Sequence, residues 1–178
     1  QPRVPDARPE VGVRTVAVDL LKDLGEFGLL AAMLPNEQLA ADVRGQAAMT
    51  LQAKAPAGSS ERASGIAYLI EKGNATDALN AARIARDEAV VGTAPSLAKA
   101  LARPEVDVRR MAAEGLGKLK DPIGLEALAG ALRATNDPGE KAVYSAQAEA
   151  IVSVQPVDQA INIAAAKDAT VRELAIRA

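Results

Sequence analysis

The sequence predicts an all-α fold, a right-handed α-solenoid built from two-helix repeats. Three observations predict it. Apolar residues recur at three- and four-residue steps, the spacing that lines one face of a helix. Proline, glycine and Asp-Pro pairs interrupt these runs at short intervals. Helix starts of one kind return near residues 13, 43, 78, 108, 143 and 171, a spacing of roughly 28 to 35 residues that suits a helical hairpin as the repeating unit.

The clearest repeat lies between residues 104 and 132. Its first helix carries apolar side chains on one face and charged side chains largely elsewhere. Asp121 and Pro122 then supply an N-cap and a first helical residue for the second helix, predicted over residues 123–132. The apolar face of the first helix consists of Val108, Met111, Ala112, Leu116 and Leu119.

Within this hairpin an acidic residue precedes Val-Arg, a pair of small residues precedes Leu, and Asp-Pro opens the next helix. The residues concerned are Asp107, Val108, Arg109, Ala112, Ala113, Leu116, Asp121 and Pro122. This series resembles the HEAT repeat family. The resemblance implies a solenoid whose inner helices line a concave face, with an arginine that bonds to acidic groups and backbone of adjacent repeats. Arginines in this place are Arg14, Arg44, Arg109 and Arg172.

The other copies of the repeat differ in strength. In the first copy, alignment with the clearest repeat predicts that Ala17, Leu21 and Leu24 are buried. The copy that contains Arg44 keeps the pattern in register, whereas the helix predicted over residues 76–91 lacks a Val-Arg pair and is the weakest. Further helices are predicted over residues 61–72, 97–103, 138–154 and 157–166 and from residue 170 onward.

One helix start is defined by its capping residues. Asp137 is a good N-cap, Pro138 suits the first turn, and Glu140 stands three residues after the cap, as in a capping box. Tyr144 then occupies the place of the arginine in the repeat. This segment therefore predicts a well-defined helix with an aromatic residue at a repeated position.

The two ends of the chain carry expectations of their own. Residues 1–9 have a proline at every third or fourth place and predict an extended, poorly ordered lead-in, while residues 10–178 form the predicted solenoid. The absence of an initial Met is compatible with removal of an export segment or with an arbitrary boundary. At the other end, Val171, Leu174 and Ala175 are expected to offer apolar surface, as a truncated array or a docking end would.

Composition narrows the classes of function. The chain has no cysteine and no histidine, which removes thiol chemistry, the commonest general base and the commonest metal ligand. Because 21 basic and 23 acidic residues are spread along the chain, we expect no nucleic-acid binding. We likewise expect no membrane insertion, no metal and no cofactor. The carboxylates of Asp19, Asp23 and Glu26 are better explained as a solvated helix face than as a cation site.

The favoured function is a non-catalytic protein-interaction module or scaffold that binds a polypeptide, either a separate partner or another domain of the same protein, on its concave face. For Tyr144 a packing role competes with a contact role. A structural spacer within a larger protein is the alternative, and a phycobilin-lyase-like enzyme, suggested by the HEAT-like repeat alone, is less favoured. The sequence leaves open whether the protein is exported or cytoplasmic. Residues predicted to contact the partner are Asp19, Met49, Arg110, Glu114, Lys118, Tyr144, Ser145 and Glu149.

Overall fold

The structure is a computed structural model that describes residues 9–156 and 169–177, and within these ranges it is all-helical, without a β-strand. The all-α prediction is therefore confirmed for the described part of the chain. Its helices are α1 (Pro9–Asp23), α2 (Phe27–Met33), α3 (Ala41–Lys54), α4 (Ser60–Lys72), α5 (Ala75–Asp87), α6 (Ala94–Ala100), α7 (Val106–Leu119), α8 (Ile123–Ala134), α9 (Pro138–Val152) and α10 (Ala169–Arg177).

Side-chain caps mark the starts of several helices. The side chains of Ser59, Asn74 and Asp137 accept hydrogen bonds from backbone N–H groups in the first turns of α4, α5 and α9. Each cap satisfies a donor that the helix itself leaves without a partner. The predicted N-cap at Asp137 is confirmed. The predicted N-cap at Asp121 was wrong by one residue, since α8 begins at Ile123 with Pro122 at the N-cap position; the carboxylate of Asp121 still accepts from the backbone N–H of Ile123 at 3.0 Å.

The helices pack in two alternating rows. Helices α1, α3, α5, α7 and α9 form what we call the odd row, in which α1 packs on α3, α5 on α7, and α7 on α9. Helices α2, α4, α6 and α8 form the even row, in which each contacts the next. Helix α10 packs against both α8 and α9. The odd row has one discontinuity: α3 and α5 share no extensive contact and are joined mainly through α4.

The core is built from small side chains, and this allows close helix packing. Helices α3 and α4 approach closely at Gly65 of α4, where an added Cβ would lie 2.6 Å from Cβ of Leu51 and 2.7 Å from the carbonyl oxygen of Ala48. No side chain fits at that distance, so α3 and α4 touch almost backbone to backbone. Buried alanines occur throughout the core: Ala47, Ala48, Ala78, Ala81, Ala82, Ala85, Ala112, Ala113, Ala129 and Ala148.

Several predicted helix ends were wrong by a few residues. Helix α5 ends at Asp87 rather than near residue 91, because Ala89 has a positive φ of 49° and Gly92 one of 91°. Helix α6 covers Ala94–Ala100 instead of residues 97–103, since Pro95 lies inside its first turn. Helix α9 ends at Val152, two residues early. These breaks depend on backbone turns that the apolar pattern does not report.

The burial pattern of the first repeat was predicted only in part: Leu21 packs, partly buried, against the core as predicted. Val18 is fully buried, whereas Ala17, for which burial was predicted, is exposed. Leu24 follows the end of α1 and is 65% exposed. Among the described helices, α1 has extensive contacts with α2 and α3, whereas α7 has them with α5, α6 and α9, so fewer neighbours cover α1.

The structure describes only some of the residues at the two chain ends for which predictions were made. Val171 is 7% exposed and belongs to the core, so the expectation that it offers apolar surface was wrong; α10 packs this side chain inward against its neighbours. The side chains of Leu174 and Ala175 lie outside the described residues, as do residues 1–8 and the helix predicted over residues 157–166. Helix α1 begins at Pro9, the last residue of the predicted lead-in.

Candidate functional site

The residues predicted to contact a partner lie on odd-row helices. Asp19 is on α1, Met49 on α3 and Lys118 on α7. Asp19 and Lys118 are exposed, and Met49 is 47% exposed. Lys22 pairs with Asp19 at 3.0 Å and with Asp23 at 3.5 Å, as expected of a solvated helix face.

Two further predicted contact residues hold neighbouring helices together. Glu114 of α7 forms an ion pair with Arg86 of α5, and Nη2 of Arg110 lies 3.7 Å from the carboxylate of Asp137 at the start of α9. Both side chains of α7 are half-exposed. They are therefore engaged in the seams of the odd row, and a substitution at either position would disturb packing as well as any surface contact.

The pair Ser145 and Glu149 lies near the last described helix. The hydroxyl of Ser145 donates to Oε1 of Glu149 at 3.2 Å. Ser145 also lines a cleft together with Thr170 and Glu173 of α10. This end of the odd row is consequently covered in part by α10.

Tyr144 is not available as a surface contact. Its side chain is only 1% exposed, and its hydroxyl donates to Oε1 of Glu140 at 2.9 Å. Of the two roles predicted as alternatives for Tyr144, packing and partner contact, the structure shows packing. Burial of the ring in an alanine-rich core fills space that small side chains leave.

Beyond these residues, polar side chains gather at two equivalent places where helices begin and end. The Arg44 corner lies where α2 and α4 end and α3 and α5 begin, and consists of Glu37, Arg44, Tyr68, Lys72 and Asp77. The Arg109 corner lies where α6 and α8 end and α7 and α9 begin, and consists of Arg103, Arg109, Thr135, Glu140 and Tyr144.

The Arg109 corner is a closed hydrogen-bonded network. Nε of Arg109 donates to Oε1 of Glu140 at 2.9 Å, and its Nη1 donates to the carbonyl oxygens of Arg103 at 2.9 Å and Pro104 at 2.8 Å. The hydroxyl of Thr135 donates to Oε2 of Glu140 at 2.7 Å. Together with Tyr144, these donors satisfy a carboxylate whose side chain is only 4% exposed. The resemblance-based expectation that this arginine bonds to acid and backbone is met here.

The carboxyl group of Glu140 in this network is stabilised in its ionised form. Burial by itself raises the pKa of Glu140, but hydrogen bonds from Thr135, Tyr144 and Arg109 outweigh it, so the pKa of this carboxyl lies below its usual value. Burial and the adjacent carboxylate both raise the pKa of Tyr144. The network therefore holds one carboxylate, one guanidinium and a neutral phenol at neutral pH.

The Arg44 corner has the same arginine in an open setting. Arg44 lines two adjoining clefts of about 550 and 470 Å³, and Tyr68 and Lys72 line both of them as well. Nε of Arg44 is buried and has no hydrogen-bond partner among the described residues. Asp77, which also lines the larger cleft, accepts a hydrogen bond from Nδ2 of Asn74 at 2.7 Å.

Other polar contacts between helices were missed by the sequence reading. Arg103 donates to the carbonyl oxygens of Ile70 at 3.1 Å and Gly73 at 3.0 Å, and so ties the end of α6 to the end of α4. Lys99 of α6 pairs with Glu71 of α4 at 3.0 Å. Such partners are about thirty residues apart, and no local pattern identifies them.

The described residues contain no group of three or more potential acidic, cysteine or histidine metal ligands. Among the same residues, no helix has the length and apolar character needed to cross a membrane. Comparison with known proteins gave no match: no family model, no curated protein and no solved structure is significantly similar to this chain.

Proposed function

We propose that this protein is a HEAT-like α-solenoid that acts as a non-catalytic module and binds a polypeptide partner across its odd-row helices. The observation that carries the proposal is the alternation of the helices in two rows: the odd row packs α1 on α3 and, beyond the break between α3 and α5, α5 on α7 and α7 on α9. A repeated surface offers extended area and spaced contacts, which suit a long polypeptide better than a compact small molecule.

The chemistry of the odd row supports the same proposal. Asp19, Met49 and Lys118 place an acid, an apolar group and a base at exposed positions on α1, α3 and α7. Mixed surfaces of this kind are common in protein interfaces, where a few buried anchors carry most of the binding energy. Arg110 and Glu114 of α7 add two half-exposed charges to this surface, although part of their role is to join helices.

Photo-crosslinking inside the cells that produce the protein tests this proposal. A photoreactive amino acid replaces Met49 or Lys118 in the odd row, and the matched controls replace exposed Ser64 of α4 or Glu126 of α8 in the even row. We expect one polypeptide to be crosslinked from the odd-row positions and at least tenfold less from the controls. Equal crosslinking from both rows, or none from the odd row of a folded protein, would contradict the proposed binding surface.

A further inference from the structure

Helix α1 carries an apolar stripe that is open to solvent. Val16 is 65% exposed, Leu20 56% and Leu24 65%. These residues follow one another at four-residue steps, and the backbone N–H of Leu24 donates to the carbonyl oxygen of Leu20 at 3.0 Å, so all three lie on one side of the helix. Val18, on the other side, is fully buried in the core. Helix α1 therefore has two apolar faces, and one of them is packed against α2 and α3.

The corresponding face of α7 is covered by other helices of the same chain. In the alignment of the first repeat with the clearest repeat, Leu20 corresponds to Gly115 of α7. A Cβ added at Gly115 would lie 3.0 Å from Cδ1 of Leu97 on α6 and 3.8 Å from Cβ of Arg86 on α5. The preceding helical hairpin, α5 and α6, thus covers on α7 the position that is open to solvent at Leu20.

An ion pair accompanies this covered interface, and its acid has a counterpart on α1. Glu114 of α7 pairs with Arg86 of α5. The same alignment places Asp19 of α1 at the position of Glu114. Asp19 pairs with Lys22 of its own helix at 3.0 Å and is exposed, so its carboxylate remains accessible to a further cation.

The charges beside the stripe favour a basic partner over a second copy of this chain. Among the described side chains of α1 and of the connection to α2, Asp19, Asp23 and Glu26 are acidic and Lys22 is basic. A second copy that paired α1 with α1 would bring the same negative excess against this one. A helix with basic residues beside its apolar stripe would bring the opposite charge.

We propose that this face of α1 docks an amphipathic helix of a partner polypeptide, with basic residues beside its apolar stripe, in the place that α5 and α6 take on α7. End helices of repeat arrays that face water carry polar outer surfaces, whereas the outer surface of α1 is apolar. The docked helix lies farther from α1 than α5 lies from α7, because Leu20 fills space that Gly115 leaves empty. This inference does not depend on the proposed function, since it concerns the end of the odd row and not the surface along it.

Fluorescence anisotropy of a labelled peptide tests the docking. The probe is dansyl-Ala-Leu-Gln-Ala-Leu-Arg-Gln-Ala-Leu-Arg-Gln-Leu-Arg-Gln-Ala-amide, which as a helix places its leucines on one face and its arginines along one edge of that face. One control peptide has Glu in place of every Arg, and another has the same composition with the leucines scattered around the helix. We expect the full chain to bind the arginine peptide saturably, at least about tenfold more tightly than either control at the same ionic strength.

A matched pair of variants locates the binding on α1. Leu20 and Ile123 are exposed to similar extents, 56% and 52%, so replacing either with Gln should leave the fold intact. We expect Leu20→Gln to weaken binding of the arginine peptide about tenfold and Ile123→Gln, on α8, to leave it unchanged. Asp19→Lys should weaken binding of the arginine peptide and strengthen binding of the Glu peptide, each about threefold. Circular dichroism confirms that the variants are folded.

Four results would overturn the inference. The first is no saturable binding of the arginine peptide by the folded full chain. The second is equal weakening by Leu20→Gln and Ile123→Gln, which would mean that the peptide adheres without a site. The third is equal affinity for the arginine and Glu peptides. The fourth is self-association of the unaltered protein in sedimentation that Leu20→Gln abolishes, because a second copy would then cover the stripe.

The proposed function and this inference fail in different experiments. If the peptide binds as expected but no crosslink forms from Met49 or Lys118, the surface along the odd row is wrong and the docking face on α1 stands. If those crosslinks form and the peptide does not bind, the docking face is wrong and the proposed function stands.

Discussion

The Arg44 and Arg109 corners begin from the same local sequence and reach opposite states. In both, Asp-Val-Arg opens an odd-row helix and places a guanidinium beside the start of the next odd-row helix. Around Arg109, a glutamate on α9 completes the pair; around Arg44, an aspartate on α5 does not. The motif therefore places an arginine at the same point in both helices, and the acid on the following odd-row helix determines whether its Nε gains a partner.

Among the changes that compare the two corners, loss of the arginine side chain is expected to alter the free energy of unfolding most. We expect Arg109→Met to lower the free energy of unfolding by about 3 kcal/mol, because it leaves the buried Glu140 carboxylate without its cation. In the matched variant Arg44→Met, the side chain that is lost has an Nε without a hydrogen-bond partner among the described residues, and we expect a cost of less than about 1 kcal/mol. Urea unfolding of the two variants measures both values. Equal losses would mean that the two arginines have the same structural role.

A pair of glycine substitutions compares packing on the two sides of α3. We expect Gly65→Ala to cost about 2 kcal/mol, because the new methyl group would meet the α3 backbone. Gly45→Ala, beside the Arg44 cleft, meets no atom within 4 Å and should be neutral or stabilising by up to about 1 kcal/mol, since alanine favours the helix. Thermal unfolding measures both effects. A destabilising Gly45→Ala would show that the cleft is tighter than the structure indicates.

Acid should weaken the Arg109 corner selectively. The pKa of Glu140 is lower in the folded protein than in the unfolded chain, so its ionised form stabilises the fold above pH about 4.3 and this contribution is lost as the pH falls through the folded value. We expect the unaltered protein to lose more stability than Glu140→Gln as the pH falls from 5 to 3, because only the unaltered protein has this carboxylate to protonate. Urea midpoints at each pH measure it. Parallel pH profiles would contradict the assigned role of Glu140.

The smallest expected effect comes from making the Arg44 corner resemble the Arg109 corner. Asp77→Glu adds the missing methylene at the third residue of α5. We expect a stabilisation of about 0.5 kcal/mol, typical of a partly exposed ion pair. Asp77→Gln has the same length without the charge and serves as the control, and urea unfolding measures both variants. No gain of Asp77→Glu over Asp77→Gln would indicate that the helix spacing, and not the side-chain length, keeps this pair apart.

The helical spacing of apolar residues predicted much of the fold, because the buried face of a helix is formed by residues three and four apart in the sequence. In the copy around Arg44, Val43, Ala47, Ala48 and Leu51 were placed in register, and all four are buried. The same reasoning misplaced Leu24, since the number of neighbours around α1 is not encoded in its own pattern.

The candidate site was less accessible to sequence reasoning because its contacts join residues that are far apart in the chain. Glu140 was predicted as the acid of a capping box. In the structure, Asp137 does cap the helix, but the backbone N–H of Asp137 donates to Thr135 at 3.2 Å and the Glu140 carboxylate turns to Arg109 on another helix. Which of two chemically suitable partners a carboxylate chooses depends on helix spacing. That spacing follows from contacts such as the one at Gly65, which no single motif reveals.

The distribution of aromatic residues gives the two corners separate optical reporters. The chain has no tryptophan and two tyrosines, and one tyrosine lies at each corner: Tyr68 beside the Arg44 clefts and Tyr144 against Glu140. Excited tyrosine transfers its proton readily to a neighbouring carboxylate, so Tyr144 is expected to emit weakly while Tyr68 supplies most of the emission. Native fluorescence then records events at the open corner, and replacing Tyr68 with Phe darkens that signal without attaching a dye.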